Sequence, residues 1–98
     1  MTPIYLGIER NKNEVTAHVL IEQTQSVLAL TKEAETTAFC DCLNRFTSVS
    51  EALEAHAGEY NSKFVKKVNG RYVFTGGCGL EDIIGVLNAC GYRLIIKQ

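Results

Sequence analysis

Apolar and polar residues alternate along the first third of the chain, which is typical of β-strands. Within residues 4–10, every second residue from Ile4 to Ile8 is Ile or Leu. Apolar residues again occupy every second position over residues 15–21. Residues 27–30 are apolar at every position, so we expect a strand that is central in its sheet or covered by helices. The pattern predicts a three-stranded meander over residues 4–31.

The middle of the chain has apolar residues at spacings of three and four, which predicts two helices. Thr31 is the candidate N-cap of the first helix. The apolar face of this helix is expected to consist of Phe39, Cys42, Leu43 and Phe46. Ser48 and Glu51 match the Ser-x-x-Glu capping box at the start of a second helix, and Gly58 is placed to end it.

An Asn69-Gly70 pair separates two strand-like segments, residues 64–68 and residues 71–75. The two residues of such a pair readily adopt the positive φ angles that a type I′ turn requires. This part of the chain therefore predicts a β-hairpin.

The chain closes with a helix and a strand. Apolar side chains between Leu80 and Leu87 share one helical face, Gly91 is placed as the C-terminal stop, and residues 92–96 form a strand. The predicted order is β-β-β-α-α-β-β-α-β, which corresponds to one α+β domain over residues 1–98. We expect two layers, with a mixed or mostly antiparallel sheet and the helices packed on one side. We also expect the last strand, helix and strand to form a right-handed crossover between parallel strands.

Composition and charge exclude several classes of protein. With 46% apolar and 21% charged residues among 98, the chain is neither disordered nor a low-complexity repeat. The net charge is −1, but residues 1–58 carry four basic and eight acidic side chains, whereas residues 59–98 carry six basic and three acidic ones. No basic segment leads into a long apolar one, and no apolar run approaches roughly 18 residues. We therefore expect a cytoplasmic protein that makes no membrane contact.

The four cysteines predict reduced thiols instead of a disulfide framework or a metal site. Cys40 and Cys42 are two positions apart, and on a helix such neighbours point about 200° away from each other. The spacing to Cys78 and Cys90 matches no familiar zinc ribbon or finger. We expect no metal and no cofactor.

A glycine-rich loop precedes the last helix and is the most chemically suggestive segment: Gly76, Gly77, Cys78 and Gly79. Backbone N–H groups in such a loop can be directed at an anion. Cys78 beside a helix N-terminus can also serve as a nucleophile with a lowered pKa. The loop therefore predicts either an anion-binding site or a thiol enzyme. The alternative to both hypotheses is a turn that has no chemical role.

Residues 62–96 carry a resemblance to a known family. Ser-Lys-Phe-Val-Lys-Lys-Val-Asn-Gly, followed by Gly-Leu-Glu-Asp-Ile-Ile-Gly-Val-Leu-Asn-Ala-Cys-Gly-Tyr-Arg-Leu-Ile-Ile, resembles the C-terminal part of antitoxin-type helix-turn-helix regulators. The resemblance covers about a third of the chain and implies that Gly58 is the turn glycine. It also implies a DNA-reading helix and its backbone contacts at Ser62, Lys63, Lys66 and Lys67, in conflict with the predicted hairpin.

Because no complete catalytic or cofactor motif is present, the leading hypothesis is a small binding protein that acts stoichiometrically on a macromolecular partner. Inhibitors, immunity proteins and antitoxins, including those encoded by phages and mobile elements, have this profile. The acidic half of the chain would meet a basic protein, such as a nuclease or a nucleic-acid-binding complex. The proposed contact residues are Glu9, Glu14, Glu22, Glu33 and Glu35.

The alternative is a DNA-binding regulator that uses the basic segment 62–71. Its phosphate contacts would come from Lys63, Lys66, Lys67 and Arg71. Either protein is compatible with a homodimer.

Overall fold

The predicted order of strands and helices is confirmed in a computed structural model, which describes residues 2–12, 14–22, 24–31 and 35–97. The elements are β1 (Thr2–Asn11), β2 (Glu14–Ile21), β3 (Thr24–Thr31), α1 (Glu35–Asn44), α2 (Thr47–Ala55), a 3-10 turn (Ser62–Phe64), β4 (Val65–Val68), β5 (Arg71–Phe74), α3 (Leu80–Ala89) and β6 (Tyr92–Lys97). The protein therefore belongs to the α+β class.

The first three strands form the predicted antiparallel meander, and β6 joins it to give the order β3-β2-β1-β6. β6 runs parallel to β1, with the pairing extending from Thr2 opposite Tyr92 to Gly7 opposite Lys97. β3 consequently lies at an edge of the sheet, so the first of the two alternatives predicted for residues 27–30, a central strand, is wrong. The backbone of α1 lies beside both β2 and β3, as the second alternative, a strand covered by helices, requires.

The predicted crossover between β5 and β6 is also wrong. β5 pairs antiparallel with β4 in a separate two-stranded sheet, and the parallel partner of β6 is β1. The register of β6 explains this choice, because Leu94 lies opposite the fully buried Ile4. Pairing with β1 thus continues the apolar face of the large sheet.

The helix boundaries differ from the prediction at several points. Thr31 ends β3, and residues 32–34, where the first helix was expected to begin, lie outside the described residues. Phe46 follows α1 in an extended conformation and is the N-cap residue of α2, without a side-chain capping bond. Ser48 therefore lies inside the first turn, and the predicted capping box is wrong. α2 ends at Ala55, three residues before Gly58.

One hydrophobic core unites the sheet and the helices. Its largest fully buried members come from β1, β2 and all three helices: Ile4, Leu6, Val19, Ile21, Cys40, Cys42, Leu43, Val49, Leu53, Ile83 and Leu87. The opposite face of the sheet carries partly exposed side chains, among them Tyr5, His18 and Leu20. Within the described ranges, the helices are too short or too polar to cross a membrane.

Candidate functional site

The basic segment forms the predicted hairpin. Asn69 has a φ of 51° and Gly70 a φ of 80°, as a type I′ turn requires, and Val65 to Val68 of β4 pair with β5. Lys66 and Lys67 consequently lie on a strand, and only the residues of the 3-10 turn, Lys63 among them, are helical. The long DNA-reading helix implied by the resemblance is not formed by these residues.

The strand conformation separates the basic side chains from one another. Lys66 and Lys67 are neighbours on a strand and so point to opposite faces. The Lys67 ammonium lies 5.7 Å from the centre of the Tyr72 ring, and the Lys63 ammonium 5.3 Å from the Phe64 ring. Arg71 donates a hydrogen bond of 3.0 Å to a carbonyl oxygen in the last turn of α1. Lys63, Lys67 and Arg71 therefore contact three different groups of the protein, and DNA binding through the basic segment stays a prediction.

Three of the acidic residues expected to meet a partner, Glu9, Glu14 and Glu22, lie at two ends of the large sheet. Glu9 and Glu14 are exposed near the turn between β1 and β2, where the Glu9 carboxylate is 3.6 Å from the ring of His18. Glu22 follows β2 at the opposite end of the sheet. The length of the eight-residue β2 puts it about 26 Å from Glu14 along the strand. Glu35 begins α1, and Glu33 lies outside the described residues.

In the glycine-rich loop, the backbone N–H groups of the three glycines donate to groups of the protein itself. The N–H of Gly77 donates to the Thr75 hydroxyl at 3.3 Å, and that of Gly79 to the Asp82 carboxylate at 3.0 Å. The N–H of Gly76 donates to Cys40. Asp82 also places a negative charge at the start of α3, where an anion would have to bind. The anion-binding hypothesis therefore gains no support from these contacts.

The structure brings together two cysteines that sequence spacing does not relate. Cys40 in α1 and Cys78 in the glycine-rich loop are both buried and joined by a side-chain hydrogen bond. Burial, together with the neighbouring Cys78, raises the pKa of the Cys40 thiol to about 12. Burial likewise raises the pKa of Cys90, which lies near Glu59, to about 11. Both thiols are therefore protonated at neutral pH.

No group of three or more potential metal ligands converges among the residues that the structure describes. Cys40 and Cys78 are a pair, and the Cys90 thiol has a different neighbour, Glu59.

A cleft lies between α3 and the 3-10 turn that precedes β4. It has a volume of about 240 Å³ and is lined by Tyr60, Asn61, Phe64, Glu81, Asp82, Gly85 and Val86. The hydroxyl of Tyr60 donates to the Leu53 carbonyl oxygen at 2.8 Å, which holds the ring in place. Asn61 accepts a hydrogen bond from the Lys63 N–H and so shapes the 3-10 turn.

This cleft combines two aromatic rings with two carboxylates. Glu81 is exposed, whereas one oxygen of Asp82 is already bonded to the Gly79 N–H. Such a combination suits a cation that carries apolar carbon, because the rings attract the cation through their faces and the carboxylates neutralise its charge.

Gly85 lies in the interior of α3 and opens the cleft. Glycine destabilises a helix by roughly 0.5–1 kcal/mol relative to alanine. A Cβ atom at this position would meet no atom within 4 Å, so packing does not require the glycine. Its visible effect is to leave space in the cleft. Sequence reasoning overlooked the cleft; the interior-helix glycine was the one signal in the sequence that could have indicated it.

Comparison of this chain with protein-family models, with curated proteins and with solved structures gives no match.

Proposed function

We propose that this protein binds a basic partner protein stoichiometrically and receives a cationic side chain of that partner in the cleft beside α3. The observation that carries the proposal is the meeting of Tyr60 and Phe64 with the Glu81 and Asp82 carboxylates around the space left by Gly85. A volume of about 240 Å³ corresponds to roughly eight water molecules of ~30 Å³ each. That space accommodates one long side chain.

Arginine fits this cleft better than lysine does. Its planar guanidinium group stacks on an aromatic face while donating to a carboxylate, whereas an ammonium group is a compact and strongly hydrated charge. The cation would have to compete with Lys63, whose ammonium lies 5.3 Å from the Phe64 ring. Lys63 is exposed and long, so its displacement from the ring costs little.

The exposed Glu9 and Glu14 extend this hypothesis to a second region of the surface. Charges outside the central contact chiefly raise the rate of association. We therefore assign the cleft the role of anchoring the partner and these carboxylates the role of attracting it. We place this binding protein in the cytoplasm and in the functional class of inhibitors, immunity proteins and antitoxins.

The proposal is tested with a peptide of alternating arginine and glycine, compared with the same peptide containing neutral citrulline. Binding is followed through the backbone amide NMR signals of the protein. The arginine peptide should shift the signals of residues 60–64 and 81–86, and the citrulline peptide should shift them much less. Glu81→Gln should weaken binding about fivefold, the equivalent of about 1 kcal/mol for one partly exposed charge pair.

Two controls separate the cleft from general charge effects. Gly85→Leu fills the cleft and should abolish the shifts, while Asn88→Leu adds the same side chain to an exposed position of α3 that does not line the cleft. Glu54→Gln removes an exposed charge from α2 and should leave binding unchanged. Equal losses from Glu81→Gln and Glu54→Gln would refute the proposal. Steeply salt-dependent binding of duplex DNA, lost when Lys63, Lys66 and Lys67 are replaced by glutamate, would favour the regulator instead.

A further inference from the structure

The end of β5, which leads into the glycine-rich loop, is held close to α1 by hydrogen bonds with the side chain of Asn44. The Oδ1 atom of Asn44 accepts a hydrogen bond of 2.8 Å from the Phe74 N–H. The side-chain amide of Asn44 donates one of 3.1 Å to the Phe74 carbonyl oxygen. The side chain of Asn44 thus acts as a pairing partner for the end of β5. Cys40 lies one helical turn before Asn44 and therefore on the same face of α1, and Cys78 follows Phe74 by four residues.

The two thiols meet in this tightly held region. Cys40 is 1% exposed and Cys78 is 6% exposed. The Cys40 side chain makes a hydrogen bond with the Cys78 side chain. It also accepts a hydrogen bond from the N–H of Gly76 in the same loop. Cys40 lies in a regular helix, whereas Cys78 lies in an irregular segment with glycine on either side. Glycine on both sides lets the loop adjust its backbone where a disulfide demands a specific separation of the two residues.

We propose that Cys40 and Cys78 are a reversible dithiol–disulfide pair, which covalently joins α1 to the glycine-rich loop when a low-molecular-weight disulfide such as oxidised glutathione supplies the oxidising equivalents.

The reaction consists of two thiol–disulfide exchanges. Cys78 is the more exposed thiol and reacts first, releasing its proton to solvent. Its sulfur attacks one sulfur of the small disulfide and forms a mixed disulfide, while the S–S bond breaks and the other half leaves as a thiolate that takes up a proton. The sulfur of Cys40 then releases its proton and attacks Cys78 in the mixed disulfide, and the second small thiol departs. The protein loses two hydrogen atoms, and one small disulfide is reduced to two thiols.

The burial of Cys40 determines the order and the speed of these steps. A thiol that remains protonated at neutral pH is a poor first nucleophile, because the thiolate is the reactive form. Cys40 is instead placed to resolve a mixed disulfide on Cys78. The exchange should therefore be slow at pH 7 and should accelerate as the pH rises.

The test uses the purified full chain in oxidised glutathione without denaturant. The expected product has lost two hydrogen atoms and keeps no glutathione. Trypsin combined with a protease that cleaves before aspartate places the four cysteines in four separate peptides, residues 33–40, 41–45, 72–81 and 82–93. Mass spectrometry should find the first and third of these peptides linked. A linkage between any other pair, or no loss of hydrogen, would overturn the proposal.

Single variants distinguish the two roles. In Cys40→Ser, the glutathione adduct on Cys78 should persist, because the resolving thiol is missing. In Cys78→Ser, Cys40 should remain a free thiol. The matched control Cys90→Ser should form the disulfide as the wild type does. An adduct that persists on Cys78 in the wild-type protein would show that Cys40 does not resolve it and would contradict the proposal.

Thermal unfolding provides a readout that does not depend on peptide mapping. A disulfide between positions 40 and 78 closes a long loop, which should raise the Tm by roughly 10 °C. Addition of dithiothreitol should return the Tm to its starting value. An unchanged or lower Tm after complete linkage would mean that the native structure does not accommodate the bond.

Discussion

The two sheets of this protein are held together in different ways. The four-stranded sheet has long strands, and β1 pairs with β2 over eight residues and with β6 over six. The hairpin of β4 and β5 has four pairs and no third strand within the described residues. An isolated two-stranded hairpin is at best marginally stable in water. The hairpin must therefore gain its stability from the rest of the molecule.

Side-chain contacts supply that stability. Val65 and Phe74 lie opposite each other and are buried in the common core, and Asn44 hydrogen-bonds both backbone polar groups of Phe74. The Thr75 N–H donates to the Phe64 carbonyl oxygen at 3.1 Å and extends the hairpin by one bond. The large sheet thus depends on repeated pairing and burial, and the hairpin depends on a few specific contacts.

The largest effect is expected in the large sheet. Ile4 is fully buried between Ile21 and Leu94 on the two neighbouring strands. Ile4→Ala should lower the free energy of unfolding by about 3 kcal/mol, because it removes buried apolar surface and leaves a cavity. Urea denaturation measures this loss. Glu9→Ala on the same strand is the control and should change stability by less than ~0.5 kcal/mol. Comparable losses from the two variants would contradict the buried role of Ile4.

The second effect tests the attachment of the hairpin. Asn44→Ala leaves the N–H and carbonyl of Phe74 without their partners and should destabilise the protein by about 2 kcal/mol. Asn44→Asp keeps the acceptor and loses the donor, so its effect should be intermediate. Amide hydrogen exchange should accelerate first at Phe74. Asn88→Ala, at an exposed position of α3, is the control. A loss no larger than that of Asn88→Ala would show that Asn44 does not hold the hairpin.

The smallest effect concerns the hairpin turn. Gly70 has a φ of 80° and open space around it, so a side chain there meets only conformational strain. Gly70→Val should cost about 1 kcal/mol, since a β-branched residue resists a positive φ. Gly85→Ala is the matched control and should stabilise the protein by about 0.5–1 kcal/mol, because helical backbone favours alanine. Stabilisation by Gly70→Val in urea denaturation would be incompatible with this turn.

The candidate site shows how far residue patterns reach. Charge counts indicated an acidic half and a basic stretch, yet a strand directs Lys66 and Lys67 to opposite faces and the meander sends Glu22 to the end away from Glu9. The cleft joins Tyr60 and Phe64 to Glu81 across some twenty residues of sequence. Linear spacing contains no information about that meeting, because it depends on how α3 packs beside the 3-10 turn.

The sequence by itself determined the elements of this protein. Alternation specified the meander, Asn69-Gly70 specified the hairpin, and Gly91, with its φ of 84°, ended α3 as expected. These are local properties of backbone conformation and side-chain period. Tertiary structure alone decided which strand would receive β6 and which thiol would face Cys40. Such choices depend on long-range packing. β6 pairs with β1 because its apolar residues continue the buried face of β1. The hydrogen bonds between Asn44 and Phe74 hold the start of the glycine-rich loop beside α1.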